Sequence, residues 1–301
     1  MKNTKIRETR FDRTFNVVIY ILLALTLIIV IYPLYFVILA SVSDPQYVNS
    51  GTPLLYPKGF TLVGYTRVFA DNRIWVGYAN TILYAGAGTV VALIVQIMAG
   101  YSLSRSDLPG RGIFMGLFVF TMYFGGGLIP FYLVVKTLNL VNSRFLMIIL
   151  GCSSVYNMII IRSFFVSTLP KELQEAAFVD GCTNQRYFFS IVLPLSKAII
   201  AVIALYSLVA QWNSYFNAMI FLTDRDKYPL QLYLREILLT AQTYSDTSMV
   251  GADPEAAAKM EQMVEVVKYG VIVVSTVPII AIYPFLQKYF VQGVMIGAVK
   301  G

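Results

Sequence analysis

The chain carries 23 Lys and Arg and 16 Asp and Glu over 301 residues, spaced so unevenly that six long intervals hold none. These are 14–43, 74–104, 112–135, 145–161, 198–223 and 269–287. A helix crosses about 30 Å of hydrocarbon with about 20 mostly apolar residues, within a range of about 17–25. Each interval therefore accommodates one crossing, and none comfortably accommodates two. Only 13% of the residues are charged and 57% are hydrophobic, whereas a soluble domain has about 25% charged residues. The predicted fold class is an all-α integral membrane protein with six transmembrane helices, over about 15–40, 79–103, 113–135, 145–163, 195–221 and 269–287. Arg144 and Arg162 bracket the shortest interval, and both can carry their charge out to the interface.

Basic residues set the orientation. With residues 1–14 in the cytoplasm and sides alternating, the inner segments hold 13 Lys/Arg and 6 Asp/Glu, and the outer segments hold 10 of each. All the excess positive charge then lies on one side, so both termini, including the tail 288–301, are expected to be cytoplasmic. Lys2, Lys5, Arg7, Arg10 and Arg13 look like the start of a secretory signal. The apolar run that follows is far longer than the roughly 7–15 residues of such a signal, so it reads as a span. The net charge of +7 is thus a topology signal. No stretch interleaves Lys or Arg with aromatics in the manner of a nucleic-acid surface.

Several chemistries are excluded by what the chain lacks. There is no histidine, which removes the commonest general base and metal ligand. The two cysteines, Cys152 in a span and Cys182 in the loop after it, are too few for a zinc site or a disulfide framework. No G-x-x-x-x-G-K-[ST] phosphate loop occurs. No span core holds a charged side chain of the kind that couples an ion or relays protons. The chain is therefore expected not to be an enzyme and to bind no ATP or metal itself, and any work it does draws on a partner. Yet the spans are not plain anchors. They contain Asn80, Gln96, Ser153, Ser154, Asn157, Gln211, Asn213 and Asn217, with Tyr123, Trp212 and Tyr215, and they are interrupted by Gly125-Gly126-Gly127 and Pro130. Amides bond across helices and small residues let helices approach, and together the pattern suits a translocation path.

The loop 163–194 is expected to hold a short helix. Pro170 suits a first turn, and Glu172 and Glu175 favour the positive N-terminal end. Leu169, Leu173, Ala176 and Ala177 share one face. Gly181 sits where a left-handed cap would stop the helix, and Thr183 can cap the next one.

Glu175-Ala176-Ala177, then Asp180-Gly181, then Ile191-x-Leu193-Pro194 resembles the EAA loop of the permease subunits of bacterial ABC importers. Asn80-Thr81, Ala99 to Arg105 with Pro109-Gly110, Trp212-Asn213 and the C-terminal Leu286 to Gly301 are similar to carbohydrate permeases of the maltose-permease G-like type. Gly125 to Pro130 with Tyr132-Leu133-Val134 looks like the YtcP-like, lipoprotein-associated permease C branch of Gram-positive bacteria. The resemblance covers nearly the whole chain.

It implies a type I importer in a bacterial plasma membrane. A second six-span-core permease would pair with this one, two cytoplasmic ABC ATPases would carry ATP and Mg, and an extracellular lipid-anchored solute-binding protein would deliver a sugar. Glu175, Ala176, Ala177, Asp180, Gly181, Leu193 and Pro194 would couple to the ATPase. The outer loop 224–268 would meet the binding protein, with the 41–78 loop as a second docking surface. Tyr123, Asn157, Gln211, Trp212, Asn213 and Tyr215 are the candidates for a sugar path. The branch implies a larger oligosaccharide, uronate-containing or host-glycan-derived, although nothing in the residues separates these from malto- or xylo-oligosaccharides. A permease for another solute such as a peptide or amino acid, and a stand-alone carrier or channel, are the alternative readings. The Trp212-Asn213 ending and the tail argue against the first, and the missing intramembrane charge argues against the carrier.

Overall fold

A computed structural model describes residues 9–49, 54–247, 264, 267–282 and 284. Every regular element among these residues is helical. The chain divides into two compact units, one of the residues up to Ala70 with Leu238–Val274, the other of Asp71–Ile237 with the chain from Ser275 onward.

In the first unit, α1 (Arg10–Ser41) opens on a capping box. Thr9 Oγ1 accepts the Asp12 amide at 3.2 Å, and Asp12 Oδ2 accepts the Thr9 amide at 3.0 Å. An 18-residue window of α1 has a mean hydropathy of 2.8 and no buried residue. Burial begins only at Leu39 and Ala40, which pack with Val48 and Leu54. A helix apolar all round and bare along its length is suited to lipid. The short α2 (Pro45–Asn49) and α3 (Val63–Ala70) follow, tied back by Asp44 N–H to Lys58 O at 2.9 Å and Thr61 N–H to Val42 O at 2.9 Å.

The second unit is organised on α4 (Asn72–Ser104), capped by Asp71. Its buried positions Gly77, Thr81, Tyr84, Ala85, Gly88, Ala92, Gln96, Gly100 and Leu103 recur at helical spacing. Many are small because other helices lie against them. A Cβ on Gly100 would come within 2.6 Å of Ile161 Cγ2.

Three of the charge-free intervals hold broken helices rather than straight ones; the third, 198–223, is interrupted at 213–215, and a further bend lies just before it at Ser196. In 112–135, α5 (Arg111–Tyr123) meets α6 (Leu128–Thr137) at 112°, across the glycines whose last, Gly127, has φ +83°. In 145–161, α7 (Arg144–Ile149) and α8 (Val155–Thr168) are separated by a non-helical stretch with Gly151 at φ +84°. After α9 (Lys171–Val179) come α10 (Asn184–Tyr187), a π-helical turn Phe188–Val192 and α11 (Leu193–Leu195); this segment turns by 79° into α12 (Lys197–Trp212). Then come α13 (Phe216–Phe221), α14 (Leu230–Thr247) and α15 (Val267–Ile282). Among the described residues, only α1 and α4 are individually long and apolar enough to cross a membrane, the two bent pairs raise the number to four, and α8 and α15 are shorter apolar helices. This is a multi-pass membrane protein. Helical periodicity counts apolar residues but not the direction of the axis, so the bends are invisible to it.

Candidate functional site

The break between α7 and α8 leaves carbonyls with no helical partner. In hydrocarbon such groups cost several kcal/mol each unless the protein satisfies them. Two amides, one buried and one half-buried, do so. Gln96 on α4, fully buried, donates through Nε2 to Cys152 O at 3.0 Å. Gln211 on α12 donates to Leu150 O. Asn157 on α8 donates in turn to Gln96 Oε1 at 3.0 Å, so these two amides link α8 to α4 while Gln211 ties α12 to the break on its own. Gly88 makes room for it, because a Cβ there would lie 2.8 Å from Gln211 Nε2. Ser154 caps α8 by accepting the Asn157 amide at 3.3 Å.

Beside this break lies a cavity of about 440 Å³, with Ser154, Tyr156 and Asn157 on one side and Tyr206, Gln211 and Asn217 on the other. Amide and hydroxyl groups with tyrosine rings are the groups that hydrogen-bond and stack on sugars, and among the described residues no charged side chain lines the cavity. Of the six sequence candidates for a path, Asn157 and Gln211 meet here. Trp212 points elsewhere: it is buried, donates its indole N–H to Ser275 O at 3.2 Å and packs edge-on to Tyr78 at 6.4 Å. Asn213 accepts from Gln231 Nε2 at 3.3 Å, and Tyr215 lies under the Arg235 guanidinium at 5.9 Å. Tyr123, at the end of α5, is 75% exposed and outside the cavity. Tyr206, Ser207 and Ser214 also line it and are absent from the sequence candidates. Tyr206 and Ser207 stand in a run dominated by apolar residues, and only the i, i+4 and i+5 offsets back from Gln211 betray them.

The second site is the helix in loop 163–194. Pro170 is the N-cap of α9, Gly181 has φ +76°, and Thr183 Oγ1 accepts the Arg186 amide at 3.3 Å. The apolar face turns inward. Ala177 is 9% exposed and sits in a core with Phe165, Tyr187 and Phe188, flanked by Leu169 and Leu173. Glu175, Ala176, Asp180 and Gly181 are on the surface, with Phe178 and Val179 beside them. Leu193 is half-buried and Pro194 exposed. The two alanines thus divide: Ala177 belongs to this chain's own core, and Ala176 lies on its surface.

Arg105, at the end of α4, ties this helix down. Its guanidinium pairs with both Asp107 oxygens at 2.8 and 2.6 Å, donates to Asn184 Oδ1 at 3.2 Å, and stacks 5.6 Å from the Phe178 ring. Hydrogen bonding to this guanidinium holds the Asp107 carboxyl below its ordinary value of 3.8. At the other end of α4, Asn80 donates to Asp226 O and Tyr228 O at 2.8 and 3.0 Å, and Thr81 accepts the Leu230 amide at 2.8 Å. These residues pin the start of the 224–268 segment. Its stretch 248–263 and the C-terminal tail 288–301 lie outside the described residues.

A helical membrane protein whose broken helix opens on a neutral polar cavity is a transport protein in its architecture. The chain is 37% identical over 290 residues to the polygalacturonan/rhamnogalacturonan transport system permease protein YtcP of Bacillus subtilis, over 96% of this chain and 99% of that one. It is 36% identical over 297 residues to the protein LplC of the same organism, over 98% and 97%. Among solved structures, a bacterial ABC transporter involved in the import of the acidic polysaccharide alginate superposes with a TM-score of 0.83 at 32% identity, over 95% of this chain and 100% of that one. No protein-family model matches the chain. The chain belongs to the permease subunits of sugar ABC transporters.

Proposed function

We propose that this chain is one permease subunit of an ATP-driven importer that passes an oligosaccharide, delivered by an extracellular lipid-anchored binding protein, across a bacterial plasma membrane. The carrying observation is the neutral cavity beside the 150–154 break, held open by Gln96, Asn157 and Gln211. In this reading the six charge-free intervals are six spans with both termini cytoplasmic, and a second permease completes the path. The chain binds no ATP; two partner ATPases hold ATP and Mg. The exposed face of α9, with Glu175, Ala176 and Asp180, seats on one ATPase, and closure of the ATPase pair moves α9. Arg105, bonded to Asn184 and stacked on Phe178, transmits that movement to α4 as one of two discrete arrangements.

The names of the relatives, one for polygalacturonan and rhamnogalacturonan and one for alginate, make uronate-containing oligosaccharides the first substrates to try. The bacterium is taken to be Gram-positive. The test is co-purification of the tagged chain from its host, followed by uptake in proteoliposomes. A second permease and an ATPase are expected in the eluate, with ATP-dependent uptake of oligogalacturonate that Asn157→Ala slows at least tenfold. Recovery of the chain alone, active without ATP, would overturn the importer reading. Uptake of neutral maltodextrin in preference to oligogalacturonate would overturn the substrate class alone.

A further inference from the structure

A second cavity, of about 280 Å³, opens where the end of α4, the N-terminus of α5, the end of α8 and the start of α9 come together. Ser104, Arg111, Arg162, Lys171, Gln174 and Tyr187 are in its wall. Arg105 also reaches it, but Asp107 neutralises that charge at 2.6 Å. The other three cations are different. Arg162 Nε donates to Leu103 O at 3.1 Å and Arg111 Nη1 to Arg105 O at 3.4 Å, both backbone carbonyls. None of Arg111, Arg162 and Lys171 has a carboxylate partner among the described residues.

The placement is electrostatically unfavourable as it stands. Arg111 and Lys171 are each the first residue of a helix, α5 and α9, where the helix dipole favours an anion and opposes a cation. Three like charges therefore converge with two positive helix ends on one concavity. Tyr187 adds an independent sign. The residue is only 2% exposed, it lines the cavity, and its hydroxyl makes no hydrogen bond among the described residues, so that O–H is free to donate to an acceptor placed there. Arginine forks, a lysine and a phenol are donors that hold a phosphoryl group.

We infer that this cavity is a binding site for a phosphoryl group, carried by an anionic lipid headgroup or by free phosphate. The site abuts Gln174 and Lys171 on α9, so occupancy would hold α9 against α4 and α8. It is separate from the sugar path, and the inference does not depend on the transport reading.

The test uses the full chain purified in detergent and exchanged into zwitterionic phosphatidylcholine. Retention of added phosphatidylglycerol is read by native mass spectrometry, and binding of inorganic phosphate by calorimetry. Wild type is compared with the double variant Arg111→Gln/Lys171→Gln, which leaves Arg162 on Leu103 O, and with Lys171→Gln alone, an exposed position whose change leaves the fold intact. The expected result is saturable binding of at least one probe, weakened at least tenfold in the double variant and about threefold in the single one, as loss of charge-assisted hydrogen bonds requires. Retention of phosphatidylglycerol that phosphate does not displace identifies the lipid as source, and saturable phosphate binding without lipid identifies the free anion. Binding of neither probe to wild type, or equal binding to wild type and Lys171→Gln, overturns the proposal.

Discussion

At the residue scale, the amides at the helix break do two jobs, satisfying carbonyls and shaping the cavity. Gln96→Leu would leave both Cys152 O and Asn157 Nδ2 without partners. An unpaired buried group costs about 1–3 kcal/mol, so this variant is expected to lower the thermal midpoint of the detergent-solubilised chain, whereas Tyr206→Phe, at the cavity surface, should leave it unchanged. The pairs at the two ends of α4 make a second prediction. Hydrogen bonds from Arg73 to Asp71 and from Arg105 to Asp107 hold both carboxyls below their ordinary value of 3.8. A carboxylate depressed in the folded state contributes stability that is complete above its unfolded value and is lost as pH falls through the folded one. The thermal midpoint should therefore fall as pH drops below about 4, the unfolded Asp range, and Asp71→Asn/Asp107→Asn should flatten that acid limb while lowering the plateau near pH 7.

At the element scale, α4 and α9 carry opposite lessons about small residues. Gly100 on α4 is small because α8 lies against it. Gly100→Ala brings a methyl within 2.6 Å of Ile161 Cγ2 and 2.8 Å of its branched Cβ, which cannot swing aside. Overpacking of this kind costs about 1–3 kcal/mol, read as a fall in thermal midpoint, while Gly116→Ala on α5, where a Cβ meets nothing within 4 Å, is expected to be silent. On α9 the adjacent alanines separate stability from partnership. Ala177→Leu should destabilise the chain through the core of Phe165 and Tyr187. Ala176→Trp and Glu175→Lys, both exposed positions, should abolish co-purification of the ATPase with the midpoint unmoved. Retention of the ATPase by both surface variants would show that α9 is not the coupling element.

At the scale of the whole molecule, the prediction is sidedness. In a Cys152→Ser/Cys182→Ser background, Gln174→Cys and Lys58→Cys should react with a membrane-impermeant maleimide from opposite faces of right-side-out vesicles, Lys58→Cys from outside. The helical, membrane-embedded class and the membership in sugar permeases were legible in the sequence. Charge-free intervals follow from the cost of burying charge in hydrocarbon, which is local and additive along a chain, and the Glu175 to Pro194 pattern is contiguous. The caps of α9 and α10 were legible for the same reason, since Gly181 and Thr183 act on their immediate neighbours. Which polar residues face the cavity was not legible. Trp212 and Gln211 are adjacent and equally suited to a sugar, yet a single step around α12 sends one to Ser275 O and the other to Leu150 O. The break at 124–127 was announced by its own glycines, whereas the meeting of Arg111, Arg162 and Lys171 depends on how elements dozens of residues apart are packed. Solvation sets what each segment of this chain is by its own composition; only tertiary packing decides which of its faces meet, because that depends on contacts no segment contains.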